Sequence, residues 1–515
     1  MFDTMEASTL SAFTVLVITL ITICLGKIAS IIYRQRTYWK KYGVPYVNVT
    51  PVLGSIGKVL LRRAAFHDEL NYYYKSYPDA RYVCMMDFAT PTVFIRDPEL
   101  IKELAIKNFD FLPNHRSFIN EEIDPIFGRN VFSLKGDRWR EMRNTLSPFF
   151  TSSKMRFMFG LVSKCSYQFV DYLYNHPECC TRVEAKETFT RYATDVIATT
   201  AFGISVNSLK DRDNEFYKTG VDAANFTGVF RLFKFLLFRL NAPLMRTMGL
   251  TFMARSSMDC MWKAITESVK ARDEQGVVRP DMIHLLMQAR DKQDENSRMK
   301  IGDIVANAFI FFLAGFDTAS TLMCHVIFEL ALNREIQERL RKEVDHYTSE
   351  GNGEIVYEDL MKMEYMDMVM SETLRKYPPV MFTDRLCAEK LELPPAGPGY
   401  NCATVYPDEL IWIPILALHH DPKYFPSPEK FDPERFSEKN KDNIVPNTYI
   451  PFGLGPRKCI ANRFALMEAK ILVAHILQKF VITSNEKTKP LVYKNGSFQL
   501  VPKDGFWLSF EKRDY

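Results

Sequence analysis

Ten residues near the C-terminus constrain this chain more than any other stretch: Phe452-Gly453-Leu454-Gly455-Pro456-Arg457-Lys458-Cys459-Ile460-Ala461. Two glycines and a proline exclude a regular helix or strand there and let the backbone come close to something flat and bulky. Asn462-Arg463-Phe464-Ala465-Leu466-Met467-Glu468 then resumes apolar residues at helical spacing, so Cys459 falls on a rigid loop just before a helix N-terminus. The helix dipole and the cations Arg457 and Lys458 are expected to favour thiolate over thiol. No second cysteine or histidine lies within zinc-ligand spacing, which argues against a closed zinc site. A single thiolate on such a loop suits one axial bond to a haem iron. A lone cysteine is more often a buried structural residue, and only the surrounding pattern separates the two uses.

That pattern resembles the haem-binding signature of the cytochrome P450 family: aromatic, two residues, glycine, one residue, arginine, one residue, cysteine, one residue, small residue. Phe452, Gly455, Arg457 and Cys459 fill its places, and Ala461 stands where glycine is usual. The resemblance implies a mainly α fold with small β-sheets. It also implies haem b (iron protoporphyrin IX) with Cys459 as metal ligand and Phe452 and Arg457 at the cofactor.

Residues 304–332 form a second centre, with Asn307, Asp317, His325 and Glu329 as the main polar marks. Hydropathy allows a membrane span there, and equally a helix buried in a large core. The internal Ala314-Gly315-Phe316-Asp317-Thr318 favours the core, because an acid in lipid is costly. Gly315 lets the backbone approach a ligand, and Thr318 is expected to bond a carbonyl one turn back and loosen the helix. An acid beside a hydroxyl can relay protons through water. The segment resembles the family's oxygen-activation motif, which implies catalytic roles for Asp317 and Thr318 and cofactor contact for Ala314 and Gly315. Family members that only rearrange peroxides often lose this threonine, so its presence points to monooxygenation.

The other motifs fall in family order. Trp139 and Arg143, four apart on one helix face, resemble the propionate-holding pair, and Arg385 another propionate contact, with His115 or Arg116 nearby. Glu372 and Arg375, three apart, resemble the family's Glu-x-x-Arg pair, closed into a buried triad by Arg435 of the Pro433-Glu434-Arg435-Phe436 turn. A substrate pocket is expected from Phe309, Phe312, Phe316, Val380, Met381, Phe382 and Phe498, the last in a late hairpin. His419-His420 has no third ligand and reads as structural.

Ahead of these motifs, residues 10–32 are mostly apolar and long enough to span a bilayer, with no cleavage pattern after them. Asp3 and Glu6 before the segment and Lys27, Arg34, Arg36, Lys40 and Lys41 after it place the body of the protein in the cytosol. The expected organisation is an anchor over 1–33, a linker and stiff hinge over 34–55, and one catalytic domain over 56–515. Two strands are expected around a turn at Pro91, and Asp97 as the cap of a helix starting at Pro98. Residues 189–204 read as a core helix, and Ile411 to Pro414 as a strand running into a turn. In 226–250, phenylalanines interleaved with Arg231, Lys234 and Arg239 fit either a membrane-interface lid or a core helix.

Lys+Arg 66 against Asp+Glu 62 gives +4, too balanced to argue for nucleic acid. Ten scattered cysteines, two of them adjacent, fit reduced thiols. By resemblance the partners are a lipophilic small molecule, NADPH–cytochrome P450 reductase and cytochrome b5, at the endoplasmic reticulum membrane, with NADPH acting only through the reductase. The likeness is greatest to microsomal, insect xenobiotic-metabolising members. Arg138, Arg140, Lys154 and Arg156 leave the outer side of the Trp139 region basic, and the face around Arg138, Arg140, Lys458 and Arg463 is expected to meet the acidic reductase. Oxidation of an endogenous hormone, fatty acid or terpenoid fits the same residues. A haem-thiolate isomerase and a non-catalytic haem or lipid carrier remain as rivals, separated by NADPH-dependent oxygen uptake and by turnover.

Overall fold

The computed structural model describes residues 2–116, 119–225, 228–276, 278–279, 281–292, 299–350 and 353–513. Helices dominate, and the nine strands among the described residues form three small sheets. The 32-residue helix Ile301–Leu332 runs through the centre. A helix apolar nearly all round needs partners on every side. It finds them in the helices Ala185–Ile197, Pro125–Gly128, Glu215–Ala224, Arg255–Gln275 and Asn462–Lys479. Its own burial, from Ile304 to Phe309 and again from Ala319 to Leu330, makes it the core helix that the internal acid argued for. The helix is continuous through Ala314–Thr318. The loosening expected there is confined to the Thr318 hydroxyl, which donates to the Ala314 carbonyl at 2.7 Å. One carbonyl oxygen has two lone pairs, so the extra bond need not break the backbone ladder.

The strands are β1 Tyr82–Asp87, β2 Thr90–Ile95, β3 Val183–Glu184, β4 Thr383–Leu386, β5 Leu391–Glu392, β6 Thr404–Val405, β7 Leu410–Ile413, β8 Phe480–Thr483 and β9 Trp507–Lys512. The main sheet has the order β1-β2-β7-β4, with only β2 and β7 parallel. The β1–β2 turn lies at Phe88-Ala89 and not at Pro91, which pairs with Met86 inside β2. Proline tolerates that register because the Met86 carbonyl is taken by the Ser55 amide at 2.8 Å, while Phe88 adopts the positive φ (54°) that the tight turn demands. Asp97 caps the helix Pro98–Lys102 by accepting from the Leu100 amide at 2.8 Å. A short helix Ile415–His419, not a turn, follows β7. Residues 496–500 form a loop pinched by a Tyr493–Pro502 bridge, not a hairpin of strands.

The N-terminal helix Phe2–Thr37 extends past the expected span on both sides, and residues 21–30 within it are all exposed. The segment after it is docked. The Trp39 indole donates to the Met85 carbonyl at 2.7 Å, Gln35 donates to the Phe88 carbonyl at 2.8 Å, and Trp39 and Val44 are buried. Helix Val229–Thr247 departs from helical geometry at Asn241, just before Pro243. It exposes Phe230 and Phe233 while Phe235 packs on Phe88. Phe226 lies outside the described residues.

Candidate active site

The cysteine loop is folded by its glycines. Gly453 and Gly455 take φ of +72° and +70°, and a β-carbon on Gly455 would stand 2.1 Å from the Ala105 carbonyl oxygen. The Cys459 amide donates to the Phe452 carbonyl at 2.9 Å, and the Lys458 amide to Gly455 at 3.0 Å. Phe452, Ile460 and Ala461 pack on the large apolar cluster around the central helix. Cys459 sits in a recess: its surface is accessible, yet the protein around it is dense. Burial therefore pushes the thiol above its usual value, opposed by the Ala461 amide and the Arg143 guanidinium. This corrects the expectation that Arg457 and Lys458 favour the thiolate. Arg457 is turned into the protein and Lys458 is exposed, so neither acts on the sulfur. A thiolate here needs a bound cation such as a metal.

Three guanidinium groups converge beside this loop. Arg143 donates to the Lys458 carbonyl at 2.8 Å. Arg385, 1 % exposed, donates to the carbonyls of Asp384 at 2.6 Å and Leu454 at 3.2 Å, and its buried Nε has no partner. Arg457 donates to the carbonyls of Pro113 at 2.7 Å and Leu134 at 2.9 Å and lies 3.9 Å above the Trp139 ring. Burial, with Arg385 and Arg143 nearby, pulls Arg457 down to about 9, and burial pulls Arg385 down to about 10; both stay cationic at neutral pH. Asp384 is the acid among them. Burial alone would raise it, but the hydrogen bond and charge of His115 outweigh that and hold it below the usual range. The His115 ring, stacked on Phe132, bonds Asp384 at 2.9 Å, whereas the Arg116 side chain turns to Asp87. His115, rather than Arg116, thus belongs to this cluster. An orphaned Nε on a buried arginine, amid excess positive charge, fits the carboxylates of a large anionic group such as haem. Trp139 supports Arg457 by cation–π contact, a role its spacing from Arg143 did not suggest.

On the central helix, Ala314 is exposed and Ile310 and Thr318 half-buried. Phe309, Phe312 and Phe316 are 0 %, 0 % and 3 % exposed, and the little surface Phe316 shows lies in a pocket with Glu184, Lys186 and Tyr217. They pack on Phe127, on Phe202 and Phe216, and on Tyr217. At about 100° per residue, Phe312 and Phe316 point about 200° away from Ala314 and Thr318. The helical count alone separates the two faces. Gly315 also answers to the back face: its missing β-carbon leaves room for Ile197, which would otherwise be 2.5 Å away. Of the other expected pocket residues, Met381 is buried, Val380 is exposed, and Phe382 and Phe498 flank Phe66 at 5.2 and 5.3 Å.

Asp317 does not meet Thr318. Its Oδ1 accepts from Lys186 at 2.9 Å, and its Oδ2 from Gln499. Neither partner stands out in the sequence, since both come from distant segments.

Glu372 and Arg375 are both 0 % exposed and joined by two hydrogen bonds of 2.7 and 2.8 Å. Arg435 donates to Glu372 at 3.4 Å, and the Asp432 amide donates to the same carboxylate at 2.9 Å. Arg375 also donates to the His419 carbonyl at 3.0 Å. His419 accepts from the Ile450 amide on Nε2 at 2.9 Å, so its proton sits on Nδ1, which faces the Arg375 carbonyl at 3.2 Å. Burial pulls His419 down to about 3 and keeps it neutral. This histidine ties the ion pair to the strand of chain that leads into the cysteine loop. Among the described residues, no group of three His, Cys, Asp or Glu could hold a metal ion.

The Cytochrome P450 family model matches residues 44–508. Cytochrome P450 9e2 of Blattella germanica is 44 % identical over 512 residues, covering 93 % of this chain and 94 % of that protein. Probable cytochrome P450 9f2 of Drosophila melanogaster is 37 % identical over 508 residues, covering 94 % and 98 %. Cytochrome P450 6k1 of Blattella germanica is 36 % identical over 507 residues, covering 94 % and 95 %.

Proposed function

The chain belongs to the cytochrome P450 family of haem-dependent monooxygenases, and from that premise we propose that it oxidises lipophilic foreign compounds at the endoplasmic reticulum membrane. Electrons come from NADPH through NADPH–cytochrome P450 reductase, with cytochrome b5 as a second donor. The named relatives are all insect proteins, in keeping with the insect xenobiotic-type likeness of the motifs. One observation carries the site reading: an accessible cysteine lies on a glycine-folded loop beside three converging guanidinium groups.

Haem, when bound, supplies the iron that activates dioxygen and delivers one of its atoms to the substrate. Cys459 would supply the sulfur that holds the haem iron, and the hydrogen bonds of the Cys459 and Lys458 amides fix the backbone that carries it. Arg385, Arg457 and His115, with Trp139 supporting Arg457, would hold the carboxylates of the haem, and Arg143 latches the loop itself. Ala314 and Thr318 present the helix face on which oxygen is handled. The Thr318 hydroxyl, hydrogen-bonded to Ala314, accepts and passes protons, and Asp317 replenishes them. Val380, Phe382 and Phe498 bound the substrate, and residues 1–33 anchor the catalytic unit of 56–515 in the membrane.

The test is the detergent-extracted protein, wild type against Cys459→Ser. Wild type is expected to give the red-shifted carbon monoxide band that anionic sulfur imposes, and NADPH-dependent oxidation of a lipophilic panel with reductase added. The serine variant is expected to give neither. A normal band in the variant, or wild-type turnover without reductase, overturns the proposal.

A further inference from the structure

Leu232, Phe235, Leu236 and Arg239 of the helix Val229–Thr247 recur at the spacing of a single inward face. The first three pack on the apolar cluster that Phe382 and Phe498 also join, while Phe230 and Phe233, off that face, are exposed. Arg239 follows the apolar residues inward. Only 11 % of its side chain is exposed, and its guanidinium lies 5.1 and 5.9 Å from the ring centres of Phe235 and Phe88. The other cations of this helix are answered by the protein: Arg231 by Asp222, Lys234 by the Thr251 carbonyl at 2.7 Å and Arg246 by Glu122 at 2.7 Å. Arg239 is not. Its buried Nε has no partner, and its nearest carboxylate among the described residues, Asp87, stands 4.0 Å away. Arg116 already donates to Asp87 at 2.5 Å, and the other Asp87 oxygen is buried without a donor, so Arg239 and Asp87 have not closed on each other. Asp384, the next acid, is engaged by His115 at 2.9 Å and by the Arg116 amide at 2.7 Å. Two guanidinium groups on one carboxylate leave a positive charge over. Burial and then Arg116 pull Arg239 down to about 10, so it stays cationic at neutral pH. A buried charge left unpaired is costly, and a ligand that brings the anion removes that cost.

We propose that Arg239 determines substrate specificity by taking the carboxylate of an amphipathic ligand whose lipophilic tail lies along Leu232, Phe235 and Leu236 toward Phe382 and Phe498. The inference rests on the lipophilic-substrate reading above and narrows it to molecules with one anionic end. A carboxylate suits the site because its two oxygens match the guanidinium fork. One spare positive charge beside Asp87 matches a monoanion and repels a second negative group.

The test titrates ferric holoenzyme in neutral detergent, which offers no anionic headgroup, with phenylhexanoate, its methyl ester and phenylhexanol. Binding is followed by haem absorbance and checked by equilibrium dialysis in wild type, R239M, R239K and D87N. Wild type is expected to bind the carboxylate about tenfold more tightly than the ester. In R239M that preference is lost through the carboxylate alone, with the ester as internal reference. R239K keeps the charge without the fork and retains part of the preference. D87N removes the competing anion and raises the preference about threefold, a gain that a merely structural role would not produce. No preference in wild type, an undiminished one in R239M, or equal losses for acid and ester overturns the inference. Should R239M not yield holoenzyme, D87N decides: a preference at or below the wild-type value overturns it. Oxidation of the ester and alcohol by wild type with reductase and NADPH checks the parent reading. If neither is oxidised, that reading fails; if both are and the acid preference is absent, only this inference fails.

Discussion

A β-carbon at Gly455 would stand 2.1 Å from the Ala105 carbonyl oxygen on a backbone already at φ +70°. Gly455→Ala must therefore shift main chain on one side or the other, and the strained φ alone costs about 1–3 kcal/mol. The expected result is a lower melting temperature and reduced haem content, both read on purified protein. Asp195 gives a pH-dependent case. Burial pushes its carboxyl up to about 7, although two bonds from the Ser208 amide, 3.0 and 3.1 Å long, oppose the rise. Unfolded, it titrates near its ordinary value of about 3.9. Between those values the folded chain keeps a proton that the unfolded chain has lost, so stability is full below about pH 4 and falls as pH rises through about 7. Asp195→Asn should flatten that decline, worth up to about 4 kcal/mol, in melting curves taken across this range. Residue types were readable in the sequence, but their partners were not always. The Thr318–Ala314 bond follows from helical spacing, while Lys186 and Gln499 reach Asp317 from 131 and 182 residues away. Phe312 and Phe316 are legible as apolar positions of the central helix, but only the helical count of about 100° per residue turns them away from Ala314 and Thr318.

Among elements, the Glu372–Arg375 helix acts through its link to the cysteine loop. Removing either partner strands a fully buried charge, at a cost of about 3–5 kcal/mol. Glu372→Ala or Arg375→Ala should yield protein without haem, scored by the ratio of haem to protein absorbance. Arg435→Ala should be milder, because its contact is longer, at 3.4 Å, and 14 % of its side chain is exposed. Thr318→Val keeps the helix and should keep haem, while product per NADPH falls. Element types were legible wherever a period or a cap was strong, as at Asp97 and in the central helix. The exceptions have local causes. The β1–β2 turn moved off Pro91 because an outside amide already satisfies Met86, and the segment after β7 closed into a helical turn that no periodicity marks.

Over the whole molecule, the order of motifs from Trp139 to Cys459 carried the fold, since each motif fixes one wall of the same interior. The charge map is less simple than its composition. Arg138 pairs with Glu121, Arg140 with Asp110 and Arg156 with Glu358, which leaves Lys458 and Arg463 as the exposed cations nearest the cysteine. Lys458→Glu with Arg463→Glu should slow reductase-driven haem reduction at low salt more than the same reversal at Arg138 and Arg140, by stopped-flow measurement. Pairing of that kind depends on residues far apart in the chain, so no count of basic residues reveals it.

The chain just past its apolar N-terminal helix is pinned to β1 and to the β1–β2 turn by Trp39 and Gln35. With that helix in a bilayer, the body cannot spin or nod on a slack leash; its tilt is inherited from the helix. Encounters with other membrane proteins then become a search over a plane at one fixed attitude, and Trp39→Ala would broaden that attitude without touching a single residue around the haem.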